Sequence, residues 1–316
     1  EPGEFFVSSD SMVFDDRVDK IINVEDNVVG EIDSKCKLYS LNKKSYSSCN
    51  INKMHNQIFN LEKDNFEHFM LKEIYNQPRS VEQSLLGRLD GYRVKLGGLE
   101  QYRNQLSNQH HITIVADGPS YYSGLLGKYY IEELCGLKVS VEKSNEFRYR
   151  SLAIRKDDMI LGISQSGHSS STIGALEVAK NKGAFIVGIC NTPNSKMTKL
   201  TDCGIFLKCG KENGIASTKT FSNQIVSLLL LCLYIEQNSS TKIVSEYRQQ
   251  LVDNIMLLPD MIEKALDVAK DVRLLAYRLY RSNKILYLGR GYGYPIALSG
   301  AFQLKNICHI DAEAYY

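Results

Sequence analysis

Between residues 164 and 172 the chain reads Ser-Gln-Ser-Gly-His-Ser-Ser-Ser-Thr, six hydroxyls crowded into nine residues with Gly167 among them. The run follows a short apolar stretch, Met159-Ile-Leu-Gly-Ile163, and precedes a helical pattern that reaches Lys182. Two more loops, Asp117-Gly-Pro-Ser120 and Glu212-Asn-Gly-Ile-Ala-Ser-Thr-Lys219, also stand between an apolar run and a helical pattern. In an open parallel sheet, ligands bind outside the carboxyl ends of the strands, where helix N-termini offer unpaired N–H groups and a positive dipole. Hydroxyl and amide donors in that position suit a phosphate monoester without a P-loop lysine. Serine and threonine are also good N-caps and turn residues, so one such loop carries little weight. Two serine-bearing loops after successive strands of one sheet carry more. Lys219, at a predicted helix start, faces a phosphate or a carboxylate, or else stands as a solvated surface lysine.

Other chemistries lack their motifs. Gly289-x-Gly291-x-Gly293 has the wrong spacing for a dinucleotide fingerprint, and no G-x-x-x-x-G-K-[ST] occurs. Histidines 55, 68, 110, 111, 168 and 309 never fall at metal-ligand spacing. His68 lies on a predicted helix and reads as a partly buried core residue, whereas His168 sits inside the serine loop. The eight cysteines (36, 49, 135, 190, 203, 209, 232, 308) contain no C-x-x-C and mostly occupy apolar runs, which argues against a disulfide framework or a zinc site. No metal or organic cofactor is expected, and a reducing cytoplasm is the default compartment.

The elements that must hold these loops follow from hydrophobic pattern. The chain has 316 residues, room for roughly two domains. With 43% hydrophobic and 23% charged residues it is an ordinary globular sequence. A net charge of +2 predicts no nucleic-acid surface. The longest apolar stretch, 225–235, falls short of the roughly 20 residues a membrane helix needs, so no membrane partner is expected and the chain reads as soluble.

Residues 112–116, 159–163, 185–189 and 204–207 are short, nearly all-apolar runs, each followed by a loop and a helical pattern. Repeated strand–loop–helix units of this kind predict an α/β fold, a doubly wound parallel sheet with helices on both faces. A helical segment then runs to about residue 282, and the same strand–loop–helix opening recurs from 284.

Before this block, residues 1–50 alternate apolar runs (5–7, 20–24, 28–29, 37–41) with turn residues and read as three or four strands. Residues 42–53 read as a polar linker, and 67–78 as a helix that stops before Pro78. The first residue is Glu1, and 312–316 follow a helical pattern without a stop signal. Both ends therefore read as cut, from a longer protein.

Six motifs occur in order: Glu67-His-Phe-Met-Leu-Lys-Glu-Ile-Tyr-Asn-Gln-Pro78, Glu146-Phe-Arg-Tyr-Arg150, Ser164-Gln-Ser-Gly167, Gly188-Ile-Cys-Asn191, Gly214-Ile-Ala-Ser-Thr-Lys219 and Leu288-Gly-Arg-Gly291. Together they resemble the glutamine–fructose-6-phosphate aminotransferase (isomerising) family over nearly the whole chain. The resemblance implies a flavodoxin-like sugar-isomerase (SIS) fold preceded by a β-rich remnant of a glutaminase domain.

It divides the chain into that remnant at 1–50, a helical linker at 51–90 and a first SIS domain at 91–240. A connector at 241–279 and the start of a second SIS domain at 280–316 complete the division. It implies a hexose-phosphate ligand held by Ser120, Ser164, Gln165, Ser166, Ser169 and Ser217, with Glu212 and Ile215 beside them. A homodimer or higher oligomer through the SIS domain is also implied.

The departures are equally specific. The family's S-Q-S-G-E-T becomes Ser164-Gln-Ser-Gly-His-Ser169, and its C-G-T-S becomes Asp117-Gly-Pro-Ser120. Its E-G-A-x-K-x-K-E-I becomes Ser299-Gly-Ala-Phe-Gln-Leu-Lys-Asn-Ile307. The resemblance makes the last acid of that motif the base that moves a proton between C1 and C2. Here that position is Asn306, an amide that exchanges no proton near neutrality. Gln303 replaces a lysine, removing a cation that would stabilise developing negative charge, while Lys305 is kept. A ring-opening histidine and an imine-forming lysine are expected beyond Tyr316. Two readings follow, a part of the aminotransferase or a sugar-phosphate binder that has lost the base.

Overall fold

The structure is a computed structural model and describes residues 4–8, 18, 20–22, 24, 27–33, 35–47, 51–53, 63–240 and 242–316. It divides into two units, 1–63 and 64–316.

In the first unit, β1 (Lys20–Ile22) pairs antiparallel with β5 (Ile51–Lys53). Strands β2 (Val28–Ile32), β3 (Cys36–Ser40) and β4 (Ser45–Ser47) form an antiparallel meander. Turn residues Asn27 and Lys44 have positive φ. Two expectations need correction. Among the described residues, 5–7 lie outside the strands, and the polar stretch 42–53 contains β4 and β5. A narrow meander has no need of an apolar run in every strand. Backbone pairing and one cross-strand contact suffice, here Tyr39 opposite Tyr46 with their rings edge-on at 5.4 Å. Cys49 and His55 lie outside the described residues.

The second unit opens with α1 (Phe69–Tyr75) and α2 (Gln77–Leu85). As expected, α1 stops before Pro78, and a second helix follows at once. Pro78 occupies the first turn of α2, where its missing N–H is no loss, and the break falls at Asn76. His68 is the exposed N-cap of α1 and not a core residue. A small hairpin, β6 (Leu89–Asp90) with β7 (Arg93–Val94), a 3₁₀ turn at 97–102 and α3 (Arg103–Ser107) lead into the sheet.

The units then follow in order: β8 (His111–Ala116), α4 (Gly118–Cys135), β9 (Lys138–Lys143), α5 (Ser144–Tyr149), β10 (Met159–Ser164), α6 (Ser170–Asn181), β11 (Phe185–Cys190), α7 (Lys196–Leu200), β12 (Cys203–Phe206) and α8 (Lys219–Asn238). All pairings are parallel, in the order β12-β11-β10-β8-β9. The expected four strands are present, and β9 is a fifth that the apolar-run pattern missed. It is an edge strand with one half-buried face, so Val139 and Val141 alternate with Lys138, Ser140 and Glu142.

Central strands are covered on both faces, which explains their continuous apolar runs. In β10, Met159, Leu161 and Ile163 pack with α4 and α8 residues such as Ile131, Leu228 and Leu231. Ile160 points the other way, into a layer with Phe147, Leu176 and Met197. Each such side chain contributes about 1.5–3 kcal/mol on burial. Among the described residues, no helix is long and apolar enough to cross a membrane.

Helices α9 (Ser245–Met256), α10 (Leu258–Leu266) and α11 (Ala269–Leu279) connect to β13 (Lys284–Leu288), α12 (Gly293–Cys308) and β14 (Asp311–Tyr315). The end of the chain corrects another expectation. Helix α12 has a stop, His309 in the left-handed region at φ 55°, and residues 311–315 pair parallel with β13. This short segment is too small to bury a core alone and leans on α4. Phe302 meets the Tyr122 ring at 5.5 Å, and Tyr292 lies 5.3 Å from the rings of both Tyr129 and Tyr130.

Burial sets thiol reactivity. Cys209 is pushed up to about 11 and Cys203 to about 12, so both stay protonated at neutral pH. Cys135, Cys190 and Cys232 are also buried, while Cys308 is exposed. A disulfide thiol reagent near neutral pH is therefore expected to label Cys308 quickly and these five cysteines only on unfolding. Peptide mass mapping checks this, and rapid labelling of Cys203 or Cys209 in the native chain would contradict the packing.

Candidate functional site

Strand order decides where a site forms. The chain leaves β8 through α4 towards the β9 edge and leaves β10 through α6 towards β11, with α4 and α6 on opposite faces. Between the carboxyl ends of β8 and β10 the sheet therefore has its topological switch point, with two helix N-termini beside it. The Asp117-Gly-Pro-Ser120 stretch is not a free loop. Asp117 is the N-cap of α4, and Gly118, Pro119 and Ser120 already form its first turn. Pro119 there costs no helical hydrogen bond, although it leaves one N–H fewer for a ligand.

Asp117 joins three elements. Its Oδ1 accepts from the Ser144 backbone N–H at 3.1 Å, at the start of α5, and its Oδ2 accepts from the Ser171 hydroxyl in the first turn of α6. From Ser171 a chain of hydroxyls continues. Ser169 Oγ lies 3.1 Å from Ser171 Oγ, Thr172 Oγ1 donates to Ser169 Oγ at 3.2 Å, and Ser144 Oγ lies 3.1 Å from Thr172 Oγ1. Ser144 and Thr172 are buried, whereas Ser169 is half-buried at the N-cap of α6.

The tight turn between β10 and α6 is held from inside. Ser164 Oγ accepts from the Gly167 N–H, and Ser166 Oγ from the His168 N–H, both at 3.1 Å. Gly167 has φ +66°, and a Cβ there would lie 2.2 Å from Ser195 Oγ, so no other residue fits. His168 is exposed at the tip, and Gln165 and Ser166 are half-buried beside it. Asn191, at the end of β11, links this turn to the next loop. Its N–H donates to the Gln165 carbonyl at 3.0 Å, while its side chain accepts from the Cys209 N–H and donates to the Gly210 carbonyl.

The loop before α8 is tied at both ends. Glu212 Oε1 accepts from the Thr218 N–H at 2.8 Å, the Thr218 hydroxyl at 3.3 Å and the Thr220 N–H at 3.2 Å, so this carboxylate caps α8. Glu73 on α1 accepts from the backbone N–H groups of Asn213 and Gly214. Burial pushes its carboxyl up, with those two N–H bonds opposing. Between these anchors Ile215 is fully exposed and Ser217 half-buried. Lys219 is not a surface lysine, and its charge acts on the Glu73 carboxylate. It is buried behind the loop, 3.8 Å from the place a Cβ on Gly210 would occupy.

Ser120 stands apart from the hydroxyl chain. It is buried, and its Oγ accepts from Gln224 Nε2 at 2.8 Å, while Gln224 Oε1 accepts from Ser123 at 2.8 Å. Helix α12 reaches the same pole. Gln303 Nε2 donates to the Ser217 carbonyl at 2.9 Å, and Phe302 lies 3.9 Å from the place a Cβ on Gly118 would occupy. Lys305 points elsewhere, 3.3 Å from Asp311, and Asn306 is exposed.

The structure thus gathers Ser164, Gln165, Ser166 and Ser169 at one turn and joins it through Asn191 to the loop carrying Glu212, Ile215 and Ser217. Sequence reasoning gave no role to Asp117, Gln224 or Glu73, whose partners lie far along the chain. What collects here is a set of hydroxyls, amides and two helix N-termini, donors suited to an oxyanion.

Residues 105–234 match the SIS domain family. The chain is 35% identical over 316 residues to a Chlorobaculum tepidum protein named glutamine–fructose-6-phosphate aminotransferase (isomerising), covering 99% of this chain and 51% of the relative. A Rattus norvegicus protein, the form of that aminotransferase numbered 1, is 32% identical over 98% of the chain and 46% of its own length. The chain therefore spans about half the length of these relatives. A solved structure, the C-terminal domain of glucosamine-fructose-6-phosphate aminotransferase from Francisella tularensis, superposes with a TM-score of 0.76 at 33% identity. It matches 80% of this chain and 71% of its own.

Asp117 is the strut of the pole, and replacing it with alanine orphans the buried-side partners of two helices. Asp117→Ala is expected to lower stability by about 1–3 kcal/mol in urea unfolding, and Asp117→Asn, which keeps one acceptor for Ser144, by less. Equal stability of Asp117→Ala and the wild-type chain would refute the role.

Proposed function

The chain belongs to the glutamine–fructose-6-phosphate aminotransferase family, and on that premise we propose that its SIS domain binds a hexose 6-phosphate at the carboxyl pole of the sheet. The observation that carries this reading is the convergence of the 164–169 turn and the α6 N-terminus at the β8/β10 switch point. The phosphate would sit against Ser164, Ser166, Ser169 and the Gln165 side chain, with the sugar towards Ser217, Ile215 and Glu212. Ser120, engaged by Gln224, would support the first turn of α4 or turn its hydroxyl to the ligand.

In the whole protein this half would serve the transfer of glutamine nitrogen to fructose 6-phosphate, giving glucosamine 6-phosphate, without a metal or organic cofactor. We read residues 1–50 as the glutaminase remnant, 51–90 as linker and 91–240 as the first SIS domain. On the same reading 241–279 is the connector and 280–316 opens the second SIS domain. The protein would work in the cytoplasm as a homo-oligomer through the SIS domain, a single monodisperse monomer in light scattering being the result that excludes this.

A second reading has its own observation. Three positions of α12 that would carry charge in the family are uncharged here, and Gln303 spends its amide on the Ser217 carbonyl. With Asn306 at the base position, no group there can take the C1 or C2 proton. On this reading the chain binds the sugar phosphate without isomerising it.

A ligand that binds only the folded state stabilises it by mass action, by about 2.7 kcal/mol at a hundred times its dissociation constant. Thermal melts are expected to rise by several degrees with fructose 6-phosphate and glucosamine 6-phosphate, and not with unphosphorylated fructose. Shifts with none of them would sink the proposal. Incubating the chain with fructose 6-phosphate in deuterated water separates the two readings. Deuterium at C1 requires a working base, and its absence alongside a melting shift is the outcome the second reading expects.

A further inference from the structure

Glu73 is a buried acid that the sugar-phosphate site does not use directly. It is 4% exposed and is the one buried residue of α1. A carboxylate in that position is costly unless it is paired, and an apolar side chain would pack α1 more cheaply. What it pairs with is the substrate loop. Its Oε1 accepts from Asn213 N–H, and Gly214 N–H is shared between Oε1 at 3.2 Å and Oε2 at 3.1 Å. The approach is close enough to demand glycine. A Cβ at 214 would lie 2.6 Å from Glu73 Oε2 and 3.2 Å from the Met70 Cα.

The charged groups facing this carboxylate are Glu212 and Lys219. Lys219 is itself buried, 5% exposed. Its charge favours the ionised form of Glu73, while that of Glu212 disfavours it. Glu212 is itself occupied by the N–H groups of Thr218 and Thr220. The loop therefore hangs between two carboxylates, one on α1 and one of its own, with Ile215 and Ser217 carried on the span between them.

We propose that Glu73 is a positioning residue for the sugar-phosphate site, holding the 212–218 loop to α1 so that any displacement of α1 changes affinity at the pole. The inference rests on the site reading above. It makes α1, a helix with no residue in the pole, a lever on the ligand.

The test uses the full chain with Glu73→Ala and Glu73→Gln, following amide hydrogen exchange without ligand and fructose 6-phosphate binding by calorimetry. Glu73→Ala is expected to speed exchange across 212–219 while 111–116 and 159–164 stay protected, and to weaken binding about tenfold. Glu73→Gln keeps an acceptor for Asn213 and should recover most of both. Unchanged exchange across 212–219 in the alanine variant overturns the proposal, as does faster exchange throughout the sheet, which would mean a purely structural role. Unchanged affinity in a chain that binds overturns the positioning role. If the wild-type chain binds no fructose 6-phosphate, the site reading fails, and the exchange pattern alone decides whether Glu73 holds the loop.

Discussion

The reversal of winding direction between β8 and β10 governs what the carboxyl pole can contain. Strands buried on both faces need helices on both faces, and a right-handed crossover permits that only if the winding changes sides once. At the point of change the N-termini of α4 and α6 stand next to each other, each with backbone N–H groups that no helical partner satisfies. Two positive helix ends side by side would repel. Asp117 offsets this with one carboxylate, which accepts from Ser144 and Ser171 and so also fixes α5. The serine turn at 164–169 stands beside that carboxylate, with its Gly167 and His168 N–H groups held by Ser164 and Ser166.

That division explains which parts were legible in the sequence. The central strands announced themselves as uninterrupted apolar runs because both faces are covered, and the serine-rich turn after β10 was visible as composition alone. β9 was not, since an edge strand with one half-buried face reads as alternation and resembles a polar stretch. Pro78 marked the end of α1 but not the start of α2, since its missing N–H is harmless in a first turn and harmful only further in. The supports of the site were illegible. Gln224 reaches Ser120 across 104 positions and Glu73 reaches Gly214 across 141, and no local pattern encodes such a pairing. A buried glutamate inside a helical pattern, with three apolar neighbours at 69, 70 and 71, was the available sign that something polar waited opposite.

The substitutions in α12 form a set when placed on the helix. Ser299, Gln303 and Asn306 are spaced by four and then three, which puts them on one side of α12. Ser299 is buried, Gln303 meets the Ser217 carbonyl and Asn306 is exposed, so the stripe runs from the packed end of the helix out to solvent. In the family this stripe would hold an acid, a lysine and an acid, which neutralise one another in part. Losing only the lysine would leave two carboxylates on one face of the helix beside a loop that already holds Glu212. That change is costly in a partly buried setting. Losing all three charges is not, because serine, glutamine and asparagine can each satisfy a backbone group. The retained Lys305 fits the same logic, being turned away from the stripe and matched by Asp311. The α12 face is thus electrostatically consistent without charge where it meets the loop that carries Ser217.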